Sequence, residues 1–322
     1  MLPVTMVGRA AELAEFAGTW AGVRRGGGAT VVVTGAAGVG KSLLASSAVQ
    51  ALRPRPATVL AGRARVHSPA PYDWLAGVLT GGTALTGTLA VPADALAWLA
   101  QHPDAPRERY TPGALLRLAV RVVHALVGTG PAVLVVEDLH ALDPASLNLV
   151  GELAGTPDLP ALLVVTSRPA QDAVSPELAA RTLARLSGAP GAVRQHLRPL
   201  DRAEVGEVLD QVYPAPVPPG VAAAVWERTS GNPYRLTELL ASGPRLADLT
   251  GPGEVELTAR EAEVLVCLAA GMSNKQVARR LDISVRTVTV HVSNLLRKTR
   301  SASRTEAALW AVRHRQDGTA PT

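Results

Sequence analysis

Thr34-Gly35-Ala36-Ala37-Gly38-Val39-Gly40-Lys41-Ser42-Leu43-Leu44 follows directly on the apolar run TVVV at 30–33. It fits Gly-x-x-x-x-Gly-Lys-[Ser/Thr], with Gly35, Gly40, Lys41 and Ser42 in the fixed places. Small residues, Gly38 among them, fill the positions between, so the backbone can curl around an anion and aim successive N–H groups at it. Leu43 and Leu44 open an apolar helical pattern whose N-terminus adds a partial positive charge under the same phosphates. An accidental Ala/Gly-rich turn is the competing explanation. Against it stands the lysine: the chain has only Lys41, Lys275 and Lys298, and Arg supplies every other cation. Strand, glycine loop and helix in this order predict a nucleotide phosphate loop.

The 322 residues, 47% hydrophobic and 18% charged, suffice for one sizeable core and one or two smaller units. A single cysteine, Cys267, excludes an internal disulfide and fits a reducing cytoplasm. Its neighbours Val264, Leu265 and Leu268 make it a small buried hydrophobe. The apolar runs are interrupted by Arg121, His124, Gly and Pro, and no basic stretch leads into an apolar one at the start, so neither secretion nor a membrane partner is expected. The net charge of +5 is uneven: residues 257–316 hold eleven Lys/Arg against four acids, a net +7, and the remainder is −2. An anionic polymer is the expected partner for the basic part.

Along the chain, 6–16 shows Leu13 and Phe16 at helical spacing after Val7, Gly8 and Arg9. Residues 57–61 form a second short apolar strand, placed in the chain between the phosphate loop and the acids that follow. The segment 68–109 is rich in Pro, Gly, Ala and Thr, with Tyr72, Trp74 and Trp98 as anchors, and it suggests loosely joined helices without chemistry. Residues 115–127 are an apolar helix. Residues 132–138, AVLVVED, form a buried strand that ends in two acids, where a parallel sheet presents metal-binding and catalytic groups. With a phosphate loop upstream, Glu137 is expected beside Mg²⁺ together with Ser42, and Asp138 is expected to orient the attacking water. A strand that merely meets an acidic turn is the alternative. Residues 161–168, ALLVVTSR, place Thr166, Ser167 and Arg168 at another strand end, able to sense a γ-phosphate, unless Arg168 is simply a surface residue. Residues 193–197 complete a parallel sheet covered on both faces. Beyond Pro199, two helical stretches around PAPVPPG form a small helical lid, and 241–256 reads as a linker.

In the tail, Thr258–Glu261, Ser273–Gln276 and Ser303–Glu306 each fit a capping box. Asp282 and Ile283 turn the chain between a short helix and a third one from 284 to 298, giving a helix-turn-helix. Val285, Val288, Val292 and Leu295 recur at 3.6 spacing toward the core, leaving Arg286, Thr287, Thr289, Val290, Ser293 and Arg297 outside. Thr289 and Ser293 suit base edges and Val290 a thymine methyl. Lys275, Arg286, Arg297 and Lys298 suit phosphates. A solvated basic helix is the bland alternative.

Residues 257–313 closely resemble the LuxR-type helix-turn-helix family, which implies an all-α DNA-binding domain whose third helix enters the major groove and whose fourth commonly dimerises. Thr289 stands where that family usually has Lys, so its usual groove contact is not inferred. Residues 6–240 resemble the ATPase module of large ATP-binding LuxR-family regulators, within the AAA/STAND group of P-loop NTPases, through VGRAAEL, the phosphate loop, VLVVEDLHALDPAS, LLVVTSRP and GNPYRLTELL. The resemblance implies that Val7, Gly8 and Arg9 lie near the nucleotide, that Arg168 is sensor-like, and that Gly231, Asn232 and Pro233 close over the site. Glu137 stands where Asp is common. The long helical-repeat region usual between the two modules has no counterpart.

The expectation is therefore an α/β P-loop NTPase core (1–198) with a helical lid (199–240), a linker (241–256), a helix-turn-helix domain (257–316) and a tail (317–322). Its cofactors would be ATP and Mg²⁺, and its partners double-stranded DNA, ATP/ADP, a second copy of itself and RNA polymerase. Nucleotide state would modulate self-association and DNA binding, with slow ATP hydrolysis as a switch. A constitutive DNA-binding protein with a degenerate nucleotide site and a phosphotransferase fused to a DNA-binding tail stay open.

Overall fold

The computed structural model describes residues 6–63, 70–81, 91–105, 110–156, 158–241, 243, 246–249, 257–299, 301 and 303–316. The chain forms two compact units, Met1–Thr250 and Gly251–Thr322.

In the first unit, α1 (Ala10–Val23), β1 (Ala29–Thr34), α2 (Lys41–Ala51), β2 (Thr58–Arg63), α3 (Asp73–Thr80), α4 (Ala93–Leu99) and α5 (Pro112–Val127) precede the acidic strand β3 (Ala132–Glu137). Then come α6 (Pro144–Ala154), β4 (Ala161–Ser167), α7 (Pro176–Gly188) and β5 (Val193–His196). The five strands make one parallel sheet in the order β2-β3-β4-β1-β5. The strand beside both the phosphate-loop strand and the acidic strand is thus β4. The stretch at 57–61, which falls between those two strands in the chain, becomes β2 at the sheet edge.

The uniformly apolar strands are read out by parity. Val31, Val33, Val133, Val135, Leu162 and Val164 face Phe16 and Trp20 of α1 and Leu44, Ala45 and Ala48 of α2. Val32, Leu134, Val136, Leu163 and Val165 face the other core, with Val122 and Val123 of α5 and Leu147 and Val150 of α6. A one-residue slip in any strand would exchange the two sets, so burial on both faces fixes the register.

The lid is α8 (Arg202–Val212), α9 (Pro219–Thr229) and α10 (Pro233–Ala241) around a core of Leu200, Val205, Leu209, Val225, Leu236 and Leu240. Leu249, in a 3-10 turn at Leu246–Leu249, is fully buried in that same core. Residues 246–249, expected within the 241–256 linker, thus pack with the lid, because Leu249 buries its side chain there. Residues 250–256 and the tail 317–322 lie outside the described residues.

The second unit is α11 (Ala259–Ala269), α12 (Asn274–Leu281), α13 (Val285–Thr299) and α14 (Arg304–Gln316). Reciprocal capping boxes at Thr258/Glu261 and Ser273/Gln276 start α11 and α12. The Glu306 N–H donates to the Ser303 hydroxyl at the start of α14. Asp282, in the left-handed region at φ 51°, makes the turn before α13. Val264, Leu268, Val277, Val288, Leu295 and Ala307 form the core. Val285 does not join it, being 45% exposed. It is the first residue of α13, where no preceding helical turn carries the buried stripe to the core.

Candidate nucleotide site and nucleic-acid interface

Between β1 and α2 the chain turns through Gly35, Gly38 and Gly40, with φ of 152°, 76° and 95°. Side chains other than glycine would be strained at such angles. A Cβ on Gly38 would stand 2.6 Å from Asn232 Oδ1 and 2.8 Å from Tyr234 Cβ. Lys41 is buried, and its ammonium donates to the carbonyls of Gly35 and Ala36 at 2.9 and 2.8 Å. Burial lowers its pKa; the Asp138 charge opposes that fall and the Arg168 charge adds to it. Lys41, Ser42, Asp138, Arg168 and Tyr234 border a cleft of about 290 Å³. It combines a glycine-rich nest, two cations and a hydroxyl at a helix start, which suits a polyphosphate.

The sheet order explains the convergence: β4 lies between β1 and β3, so the turn after it opens between Lys41 and the acids. Asp138 adopts φ 53°, and its N–H donates to Thr166 Oγ1 at 3.0 Å. Thr166 and Ser167 are fully buried, and the Ser167 hydroxyl donates to the Arg168 carbonyl at 2.7 Å. Of the three residues expected to sense phosphate, only Arg168 borders the cleft, because strand alternation and these backbone bonds occupy the other two. Glu137, the last residue of β3, is half-buried beside them.

Two features of this region were not anticipated. His140 is 8% exposed, and its Nδ1 accepts the Arg168 N–H at 3.3 Å and lies 4.0 Å from Asp138 Oδ1. Burial holds its pKa below the ordinary histidine value; the Asp138 charge resists, and Arg168 and Lys41 reinforce the fall. The only available signal was its place two residues beyond Asp138. Asp143, also buried, caps α6 through the Ser146 N–H at 2.9 Å and accepts the Tyr72 and Asp73 N–H groups at 3.1 and 3.2 Å. One carboxylate thus starts two helices, α6 and α3, 70 residues apart, a pairing that local spacing could not reveal.

The lid tip reaches the phosphate loop directly. Gly231 sits at φ 66°, with no room for a Cβ against the Leu200 carbonyl. Asn232 Oδ1 accepts the Tyr234 and Arg235 N–H groups at 3.0 and 3.3 Å, while Nδ2 donates to the Ala37 carbonyl at 2.9 Å. The Tyr234 N–H donates to the Gly38 carbonyl at 3.1 Å. Pro233, the first residue of α10, borders the cleft.

Val7, Gly8 and Arg9 are not among the residues that border the cleft around Lys41. The Arg9 guanidinium donates to the Arg198 carbonyl at 2.6 Å, and Gly8 abuts the Glu204 carboxylate. Arg198 in turn holds Glu204 with two bonds of 2.9 Å each. This segment therefore braces the connection between β5 and α8, and the lining of the cleft around Lys41 comes from other residues.

In the second unit, Lys275, Arg286, Thr287, Thr289, Val290 and Ser293 are all exposed on α12 and α13. The Thr289 hydroxyl donates to the Val285 carbonyl at 3.0 Å and keeps its acceptor capacity on the exposed face. One expected role needs correction. Lys298 turns inward to the buried Glu261 carboxylate at 2.5 Å, so its charge is committed within the bundle. The Thr287 hydroxyl is shared with Ser284 at 2.8 Å. The side chain of Arg297 lies outside the described residues.

Among the described residues no group of three or more His, Cys, Asp or Glu is arranged to hold a metal, and no helix is long and apolar enough to cross a membrane. A divalent cation in the cleft would take its protein ligands from Ser42 and one acid, with phosphate oxygens and water completing the shell.

The fold and site define a P-loop NTPase unit followed by a four-helix helix-turn-helix unit. The AAA ATPase domain family matches residues 5–165, half of the chain, and the chain belongs to that family. The family of bacterial regulatory proteins of the luxR type matches residues 255–311. Among similar proteins, the nitrate/nitrite response regulator NarL of Escherichia coli K12 is 44% identical over 81 residues, 25% of this chain and 38% of NarL. The transcriptional regulatory protein YhcZ of Bacillus subtilis is 52% identical over 63 residues, 20% of this chain and 29% of YhcZ. The chain thus spans well under half the length of these relatives. Among solved structures, Orc1 of Aeropyrum pernix in complex with DNA superposes with a TM-score of 0.48 at 15% identity, covering 92% of this chain and 85% of that one. The STAND protein PH0952 of Pyrococcus horikoshii, which has a tetratricopeptide repeat sensor, superposes with a TM-score of 0.47 at 17% identity, covering 94% and 40%.

Proposed function

We propose that the chain is a cytoplasmic, ATP-binding transcription regulator in which nucleotide state at Lys41 sets how the luxR-type unit engages double-stranded DNA. The observation that carries this reading is the direct bonding of the lid tip to the phosphate loop, through Asn232 to Ala37 and Tyr234 to Gly38. Any change in the loop's backbone is then felt by α10 without passing through the ligand.

ATP·Mg²⁺, when bound, supplies a polyanion and a divalent cation. Lys41, which holds two loop carbonyls, would exchange them for phosphate oxygens, and the loop N–H groups would supply further donors. Asn232 and Tyr234 hold the carbonyls of Ala37 and Gly38 outward, which favours that role. Arg168 meets the terminal phosphate. Ser42 and Glu137 would hold the cation, and Asp138, whose charge is felt at Lys41, would orient water for slow hydrolysis.

At the DNA, Val290 and Ser293 face base edges, and Arg286 and Lys275 hold phosphates. Two copies bound to half-sites about 10 base pairs apart gain affinity through effective concentration, so a nucleotide-dependent change in self-association changes occupancy. The test is DNA affinity and molecular mass of the full chain with ATP, with ADP and without nucleotide. The switch predicts values that differ between the states. Equal values in all three would leave a constitutive DNA-binding protein. Lys41→Ala should abolish ATP binding with DNA binding retained.

A further inference from the structure

Two bonds tie the turn after β3 to the end of β4. The Asp138 N–H donates to Thr166 Oγ1 at 3.0 Å, and the Arg168 N–H donates to His140 Nδ1 at 3.3 Å. The first ends inside the sheet. The second ends on the one residue of that strand end whose side chain borders the cleft. His140 is itself held from behind, because its carbonyl accepts the Val174 N–H at 2.9 Å. Its ring is buried, and it lies 4.0 Å from Asp138 Oδ1. A ring that accepts at Nδ1 carries its proton on Nε2, so one tautomer is selected.

Apart from the bond its carbonyl accepts from the Ser167 hydroxyl, the Arg168 backbone lies outside regular structure: the strand ends at Ser167 and a 3-10 turn begins only at Ala170. An exposed arginine on a loosely held backbone would lose much of its attraction for a phosphate to side-chain and loop entropy. Fixing its N–H removes part of that loss.

We propose that His140 is a positioning residue for Arg168: by accepting the Arg168 N–H it aims the guanidinium at the terminal phosphate, and so makes the cleft distinguish ATP from ADP. This rests on the reading of the cleft as an ATP site with Arg168 at its γ-phosphate end.

The experiment measures ATP and ADP affinities of the full chain, with Mg²⁺, in wild type, Arg168→Ala, His140→Ala, His140→Asn and the Arg168→Ala/His140→Ala double variant. Exchange of the Arg168 amide is followed in parallel by hydrogen–deuterium exchange. Loss of a charge-assisted contact to phosphate should cut the ATP preference of Arg168→Ala by about tenfold or more, with ADP affinity little changed. His140→Ala should lose preference to a similar degree and speed exchange at Arg168. His140→Asn places an acceptor where Nδ1 stood and should restore both. The double variant should be no worse than Arg168→Ala alone. The proposal is overturned if His140→Ala keeps the wild-type ATP preference while Arg168→Ala loses it, if the two losses add in the double variant, or if His140→Asn fails to rescue. A wild type that does not distinguish ATP from ADP, or an Arg168→Ala variant unchanged from it, would overturn the ATP-site reading and this inference with it.

Discussion

Asn232→Asp separates the two jobs of the lid tip. Asn232 Oδ1 accepts two N–H groups at the start of α10, at 3.0 and 3.3 Å, which leaves Nδ2 as the only group able to donate to the Ala37 carbonyl at 2.9 Å. The amide orientation is thus fixed by the bonds around it. Aspartate keeps both cap bonds, and its charge suits a helix N-terminus by roughly 0.3–1 kcal/mol. It cannot donate to Ala37, and it sets an anion against a carbonyl beside a phosphate site. Losing the bond costs about 0.5–1.5 kcal/mol, and the unrelieved repulsion raises the weakening of lid docking to about 1–2 kcal/mol. If docking is coupled to the loop as proposed, ATP affinity should fall by roughly 5- to 30-fold. The fold should be as stable as wild type. The assay is titration with a fluorescent ATP analogue, alongside urea unfolding and hydrogen–deuterium exchange across 230–240. Asn232→Ala serves as contrast, since it should lose both the latch and about 1 kcal/mol of helix cap. An Asn232→Asp protein that binds ATP as tightly as wild type, with the lid tip equally protected, would show that these bonds carry no coupling.

Asp143→Ala removes a buried carboxylate that four donors use, two from the α3 start and two from Ser146. Urea unfolding should show a loss of about 3 kcal/mol or more from orphaned N–H groups and a lost cap. Arg286→Ala should reduce the log–log salt slope of DNA binding by about 0.9, one phosphate contact. Lys298→Met should leave that slope unchanged while lowering the stability of the second unit by about 2 kcal/mol, less than for a fully buried pair because the Lys298 side chain is 28% exposed. An equal change of slope in both variants would refute the inward assignment of Lys298. Burial pushes the Glu261 carboxyl up, but the Lys298 ammonium and the Thr258 N–H and hydroxyl outweigh it and hold the group below its ordinary 4.5. The unfolded chain therefore takes the proton first: this stabilisation is complete above pH about 4.5 and is lost as pH falls through the lower folded value. Acid unfolding followed by exchange across 257–299 should show this loss in wild type and not in Glu261→Gln.

Much of the molecule is legible in the chain because the deciding interactions are local. The phosphate loop is set by glycines whose positive φ no other residue adopts cheaply. The parallel sheet follows from strands apolar on both faces, and the second unit from capping boxes three residues wide. The basic surface of α12 and α13 is a matter of composition.

What local spacing could not give is neighbourhood across the chain. Val285 continued the periodic stripe of α13, yet it stands at the helix end with nothing to pack upon. Lys298 was assigned to phosphate from its charge and its place in a basic helix alone, but it is bonded to a carboxylate on α11. Leu249 read as linker until the lid core received it. Arg168 meets Lys41 and Asp138 only because β4 inserts between β1 and β3, and strand order follows from how the helices cover the two sheet faces. The sequence alone determined that a phosphate loop, an acidic strand and a basic helix-turn-helix exist. The tertiary structure decided that His140 holds Arg168 and that Asn232 holds the loop. Both bonds join segments whose separation in the chain, 28 residues in one case and 195 in the other, leaves no periodic trace.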